Sequence, residues 1–165
     1  ISYFQQKDNL DLIYEDPHNF TLNSSSFKAG ERIAEMGACI NCHFYGAEKP
    51  KQDALTWAPN LVLTKERLRP EWLVEWFINP QDVMPGTKMP APYIPTEEPQ
   101  NSIREVWGSD VAKISRDSTK LYKSLIDWMW GMEGRKDVSS IVRRHLNSQG
   151  YGFIIEEEDD WGDEW

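Results

Sequence analysis

The chain is poor in several residue types and patterns on which common functional sites depend. It has only two cysteines and three histidines in 165 residues, so few soft or imidazole metal ligands are available. No apolar run approaches the roughly 18 to 20 residues that a membrane span needs, so we do not expect this chain to cross a bilayer. No paired-carboxylate, Ser-His-Asp or phosphate-loop pattern indicates an enzyme. The acidic run in the final ten residues argues against nucleic acid as a partner, because phosphates would repel it.

Length and composition are typical of one soluble globular domain with extensions. The chain is 39% hydrophobic and 27% charged, and its length lies within the range of single domains. Because the numbering begins at Ile1 rather than at a methionine, we expect a signal peptide or an N-terminal anchor to have been removed.

Both cysteines fall in one pentapeptide, Cys39-Ile40-Asn41-Cys42-His43. Two thiols three positions apart on one helical turn can each add to a vinyl group on the same edge of a porphyrin. The histidine that follows then offers a ring nitrogen to the iron. This is the attachment signature of c-type haem, and it predicts one covalent haem c with His43 as the proximal ligand.

Two other interpretations of the cysteine pair fit less well. A tetrahedral zinc site would need two more ligands, and only His18 and His145 remain once the pentapeptide is used. A thioredoxin-like redox disulfide should follow a buried β-strand in a βαβ pattern, and no such apolar strand precedes Cys39.

A second segment, from Asn79 to Pro90, predicts the other iron ligand. Pro85-Gly86 suits the two central positions of a type II turn, and such a turn would direct the chain so that Met89 projects sideways. A methionine thioether is a soft ligand that favours reduced iron. Met84 is the rival ligand, but we expect it to serve packing because the turn is aimed at Met89.

These motifs, in this order, resemble those of the class I cytochromes c. The run from Asn79-Pro80 to Met89 looks like their sixth-ligand loop, and Ala58-Pro59-Asn60-Leu61 resembles the stretch whose proline carbonyl accepts the proximal histidine N–H. The resemblance implies an all-α fold around one covalently bound haem. It further implies that Pro59 orients the histidine and that Thr87 hydrogen-bonds a haem propionate.

Three helices can be predicted in the region of the resemblance. The first begins near Ser24-Ser25-Ser26 and leads to the pentapeptide. The second opens at Pro70 and ends before Asn79, and its aromatic face, which includes Trp76, is expected to wall the haem. The third begins near Asp117, a natural cap, and ends by Gly134. The resemblance implies that the first and third helices cross through Gly30 and Trp128.

The predicted organisation is an N-terminal extension (1–23), a cytochrome c domain (24–133) and a C-terminal extension with an acidic tail (134–165). The domain contains an insertion at about 90–116 that is rich in proline, with a short helix expected around Ile103 to Trp107. Seven acidic residues lie in the final ten, so the tail carries most of the negative charge. Such a block is usually a solvated tail, although Trp161 and Trp165 favour docking against a basic surface.

The expected function is one-electron transfer, since a histidine and a methionine would leave the iron no open coordination position. We expect an electron-transfer protein that is not itself an enzyme, working as a subunit of a membrane-associated redox complex of the respiratory type. A free electron shuttle is the first alternative, and a haem enzyme or gas-binding protein is the second, if Met89 is not a stable ligand. The resemblance also implies a periplasmic or other extracytoplasmic location, because haem of this type is attached there.

Overall fold

The computed structural model describes residues 19–152, and this part of the chain is helical. Its only β pairing consists of two isolated bridges, His43 with Ala58 and Tyr45 with Glu48. The predicted all-α class is therefore confirmed for the described residues. The α-helices, in chain order, are α1 (Ser25–Met36), α2 (Thr64–Arg67), α3 (Pro70–Ile78), α4 (Pro80–Val83), α5 (Gln100–Val106), α6 (Ser109–Ile114), α7 (Ser118–Trp130) and α8 (Ser139–Ser148). Short 3-10 turns occupy Cys39–Asn41, Ala54–Thr56 and Leu61–Leu63.

The three helices predicted from the sequence are present as α1, α3 and α7. Helix α1 begins where the Ser24 side chain accepts a hydrogen bond from the Phe27 N–H at 3.1 Å. Helix α7 is capped in the same way by Asp117, and α3 has Pro70 as its first residue, where a missing N–H costs nothing. The sequence therefore located these helix starts correctly because each carries a residue that suits an unpaired helix end.

Helices α1 and α7 cross at Gly30, and most of the buried core residues belong to these two helices. A Cβ atom at Gly30 would stand 1.8 Å from the Ser124 carbonyl oxygen, so only glycine permits the approach. Around it, Ile33, Leu121 and Ile126 are almost completely buried. The crossing of these two helices at Gly30, expected from the sequence, is present. The Gly30 backbone meets Ser124 and Leu125, while Trp128, one turn further on, contacts Tyr45 with ring centroids 5.3 Å apart.

The insertion at 90–116 is folded against the rest of the domain. The short helix expected around Ile103 is present as α5, and α6, which was not predicted, follows it. Two contacts attach these helices to α1: Ser25 donates to Asp110 at 2.6 Å, and Arg32 donates to the Val106 carbonyl at 2.6 Å. The insertion is thus part of the domain's packing.

Helix α8, in the C-terminal extension, was also not predicted. Asp137 lies just before it and accepts a hydrogen bond from the Ser139 N–H at 2.9 Å. Its His145 ring lies against Trp57 with centroids 4.6 Å apart. The extension therefore returns to the segment that follows the cysteine motif.

Several expectations fall on residues 1–18 and 153–165, which lie outside the described part. They include the arm that makes up most of 1–23, the rival ligand His18, and the acidic tail with Trp161 and Trp165. From 19 to 152, every helix is too short or too polar to cross a membrane.

Candidate functional site

The end of α1 positions the two cysteines. After Gly37, the residue Ala38 adopts the left-handed conformation with φ 51°, which turns the chain into the 3-10 segment Cys39–Asn41. The His43 N–H then donates to the Cys39 carbonyl at 2.9 Å, so the pentapeptide forms one compact turn. Both thiols are free and half-buried. They are chemically available to form thioether bonds.

The environment of Cys39 disfavours the redox interpretation. Burial raises the pKa of its thiol to about 11, with a further contribution from the neighbouring Cys42. Reactive redox cysteines need the opposite shift, because the thiolate is the nucleophile. For zinc, no group of three or more His, Cys, Asp or Glu side chains that could hold a metal occurs within 19–152, and His18, one of the two further ligands considered, lies outside these residues.

The imidazole of His43 is oriented by a backbone carbonyl. Its Nδ1 lies 2.8 Å from the carbonyl oxygen of Pro59, and this oxygen can only accept, so Nδ1 carries the proton. The lone pair is then on Nε2. Burial lowers the pKa of His43, and this effect outweighs the opposite effect of the Pro59 contact. The lowered pKa favours the neutral form of the ring. A neutral imidazole with a fixed tautomer is the form that binds metals.

Main-chain hydrogen bonds hold the Pro59 carbonyl in place. The Ala58 N–H donates to the Cys42 carbonyl at 2.7 Å, and the Leu61 N–H donates to the Phe44 carbonyl at 3.0 Å. Residues 58–61 therefore run alongside residues 42–44, and the two hydrogen bonds lie one before and one after His43 in the chain. This pairing brings the Pro59 carbonyl against the His43 ring.

Asn60 is a structural residue that the sequence did not indicate as important. It is 5% exposed. Its side-chain oxygen accepts from the Gly46 N–H at 3.0 Å, and its amide donates to the carbonyls of Arg135 at 2.9 Å and Lys136 at 3.2 Å. It therefore joins the His43 loop to the C-terminal extension. Only its place after Pro59 could have drawn attention to it, because a single asparagine carries no spacing signal.

The predicted turn before Met89 is present. The Thr87 N–H donates to the Met84 carbonyl at 3.1 Å, and Gly86 has φ 87°, as a type II turn with Pro85-Gly86 requires. Thr87 then accepts a hydrogen bond from the Met89 N–H at 3.3 Å through its hydroxyl oxygen. The Thr87 side chain thus contacts the backbone of its own loop.

The two methionines of this loop differ in exposure. Met84 is 54% exposed, whereas Met89 is half-buried and packs against the hydrophobic core. A ligand must reach a buried metal, so Met89 is the better candidate of the two.

The indole of Trp76 contacts the sulfur of Met89. Its Nε1–H donates to the Met89 Sδ at 2.9 Å, and its ring stacks on Trp72 with centroids 5.1 Å apart and planes 15° from parallel. The sequence placed Trp76 on an aromatic wall but did not pair it with Met89. Their separation of thirteen residues across a proline-rich turn has no periodic signature that would reveal this contact.

The candidate residues thus form two groups. Cys39, Cys42, His43 and Pro59 make one, and Trp76, Thr87 and Met89 make the other. Lys88 donates to the Leu55 carbonyl at 3.5 Å and so links the Met89 loop to the segment that follows the cysteine motif. Free thiols, an imidazole with an available Nε2 and a half-buried thioether are the donors that a c-type haem requires.

Comparison with known proteins identifies no relative of this chain. No protein-family model, curated protein or solved structure matches the chain. The assignment of a haem therefore depends on the residues and contacts described above.

Proposed function

We propose that this chain binds one haem c through thioether bonds to Cys39 and Cys42 and serves in one-electron transfer. The observation that carries the proposal is the contact of His43 Nδ1 with the Pro59 carbonyl at 2.8 Å. It leaves Nε2 free on the residue that follows the cysteine pair.

The remaining residues have roles that follow from their positions. When bound, the haem supplies an iron that accepts and releases one electron. His43 and Met89 would hold the iron through Nε2 and the thioether sulfur, which would leave no coordination position for a substrate. The Met89 thioether favours reduced iron and would raise the potential relative to a second imidazole. Trp76 lies beside that sulfur, and Thr87 restrains the Met89 backbone.

We infer that the protein works as a subunit or module of a larger redox complex on the extracytoplasmic side of a membrane. The folded insertion and α8 support this inference, because they add surface beyond the segments that hold the ligands. The second candidate is a free shuttle. The third is a haem enzyme or gas-binding protein, which would require Met89 to leave the metal.

The first test is expression in cells that mature c-type haem. The purified chain should gain the mass of one haem, resist acid-acetone extraction of the cofactor and show a Soret band. The double variant Cys39→Ala, Cys42→Ala should lose the covalent haem. Material with no Soret absorbance, or with haem that extracts freely, would contradict the proposal.

Two measurements separate the alternatives. A near-infrared methionine-to-iron(III) band, with no carbon monoxide binding to the reduced protein, would exclude the gas-binding class. Co-purification from native membranes would support the complex, whereas recovery alone in the soluble fraction would favour the shuttle.

A further inference from the structure

One side of helix α8 carries a stripe of side chains on which no other helix packs. Val142 and Leu146 lie one turn apart, as do Arg143 and Asn147, and the two pairs border the same stripe. From 19 to 152, no other helix comes within 8 Å of α8 between Cα atoms. Val142 and Leu146 lie outside the hydrophobic core cluster, and both are partly exposed. The stripe is therefore apolar along one border and polar along the other.

A buried acceptor on this stripe has no donor. The side-chain oxygen Oδ1 of Asn147 is buried, and it accepts no hydrogen bond from the described residues. Buried polar atoms are nearly always paired, because burial without a partner removes the hydrogen bonds to water and returns none. A chain segment that lies along the stripe would supply the missing donor through one of its backbone N–H groups.

The chain turns back at the end of α8. Gly150 is in the left-handed region with φ 86°, and its N–H donates to the Asn147 carbonyl at 3.0 Å. The N–H of Tyr151 donates to the Leu146 carbonyl at 3.2 Å. These two hydrogen bonds form a Schellman motif. Tyr151 therefore lies beside the last turn of α8, and the described part of the chain ends one residue later.

The residues that follow match the stripe in polarity and in charge. Residues 153–155 are Phe-Ile-Ile, and residues 156–160 are all acidic. From 153 to 165 the chain has seven acids and no base, a net charge of −7, whereas 135–152 has four bases and one acid, a net charge of +3. An extended chain advances about 3.3 Å per residue and a helix rises about 1.5 Å, so the acids can run back past Arg143 to the start of α8.

We propose that residues 153–160 dock along this stripe of α8. The apolar residues 153–155 pack on Leu146 and Val142, and the acids that follow face Arg143. The covalent link favours this segment over an external partner, because a short tether gives it a high local concentration at the stripe. The basic surface expected for the acidic tail is therefore part of the same chain. This docking does not depend on the haem.

The test is limited digestion of the whole 165-residue chain with a glutamate-specific protease, followed by mass spectrometry. Cleavage after residues 156–158 should be slower than in a free peptide of residues 153–165, because a docked segment cannot enter the protease. Arg143→Gln should speed this cleavage about threefold, the effect of losing one exposed ion pair. Arg144→Gln is the matched control. It removes the same charge from the next exposed position, about 100° further around the helix and away from the stripe, and should change the rate little.

Salt provides a measurement that needs no variant. Near 1 M salt the screening length is about 3 Å, so cleavage of the unmodified chain, relative to the free peptide, should become faster. Cleavage of the unmodified chain at the rate of the free peptide, or equal effects of the two arginine substitutions, would overturn the inference. Protection that increases with protein concentration would also overturn it and would assign the stripe to a second copy of the chain.

Discussion

At the scale of single residues, one backbone carbonyl determines how His43 can act. Because Pro59 holds Nδ1, Nε2 is the atom that remains for a metal. This contact was implied by the resemblance of residues 58–61 to the corresponding stretch of class I cytochromes c. The contact of Trp76 with Met89 could not be expected from the sequence, because it depends on the angle between α3 and a turn that follows it. Local pattern gives the residue types at a site, and tertiary packing gives their pairings.

The choice between the two loop methionines gives the first prediction. Met89→Ala should open the sixth coordination position, lower the reduction potential and allow carbon monoxide to bind the reduced protein. Met84→Ala is the matched control and should do none of these, because Met84 is 54% exposed. Absorption spectra with and without carbon monoxide provide the measurement. The reverse pattern would identify Met84 as the ligand.

Asn60 gives a prediction about stability. Asn60→Ala would leave the Gly46 N–H and two C-terminal carbonyls without their partner, and we expect the free energy of unfolding to fall by about 2–3 kcal/mol. Denaturant unfolding measures this. Asn101→Ala, at an exposed position of α5, should change stability by less than about 0.5 kcal/mol. Similar effects of the two substitutions would mean that the Asn60 contacts contribute little.

At the scale of elements, the helices with clear end signals were the predictable ones. Ser24, Pro70 and Asp117 mark the starts of α1, α3 and α7. The N-cap residues of α6 and α8, Gly108 and Val138, have no side chain that accepts a hydrogen bond from a helix N–H. In α8, Ile141, Val142, His145 and Leu146 do recur at helical spacing, but two arginines interrupt them and the helix buries none of its residues completely. Such helices depend on tertiary contacts, which sequence patterns do not record.

The close crossing of α1 and α7 predicts that one methyl group added at position 30 strongly lowers the stability of the fold. Gly30→Ala would place Cβ 1.8 Å from the Ser124 carbonyl oxygen, so the helices must move apart. We expect a loss of about 2–3 kcal/mol in the free energy of unfolding, despite the better helix propensity of alanine. Glu31→Ala, at the adjacent exposed position, is the control and should be nearly neutral. A neutral Gly30→Ala would show that the crossing is looser than described.

The attachment of α6 to α1 should depend on pH. The hydrogen bond from Ser25, followed by that from Lys113, lowers the pKa of the Asp110 carboxyl below its ordinary value of 3.8. A lowered pKa stabilises the fold fully above the ordinary value, and this stabilisation is lost as the pH falls through the lowered one.

The test is Asp110→Asn, which keeps an acceptor for Ser25 but cannot be charged. It should be less stable than the parent at pH 7, by under about 1 kcal/mol because the site is partly exposed to solvent. The difference in Tm should shrink as the pH falls below about 4. A difference that does not change with pH would contradict the role of the charge.

At the scale of the whole molecule, charge is unevenly distributed along the chain. Residues 19–152 contain 17 basic and 16 acidic side chains, a net charge of +1, whereas the whole chain carries −9. The negative charge therefore belongs to the two ends, above all to the final ten residues with their seven acids. Long-range attraction of charged partners depends on such a distribution.

Removal of residues 156–165 should change the rates at which the proposed haem reacts with small charged oxidants. The chain would lose seven negative charges and retain −2. At low salt, oxidation by anionic ferricyanide should become faster relative to oxidation by a cationic cobalt(III) phenanthroline complex. The change should disappear near 1 M salt, where the screening length is about 3 Å. Stopped-flow kinetics measure both rates. An unchanged ratio of the two oxidation rates would mean that the acidic end lies too far from the proposed haem to affect electron transfer.

The Asn60 side chain also has a mechanical consequence. Asn60 is the next residue after Pro59, whose carbonyl orients His43. The Asn60 amide donates hydrogen bonds to the carbonyls of Arg135 and Lys136, just before α8. Tension applied to the C-terminal helix would reach the imidazole through one side chain and one peptide unit. A protein bound to this helix would therefore be able to shift the His43 imidazole through a short path of contacts.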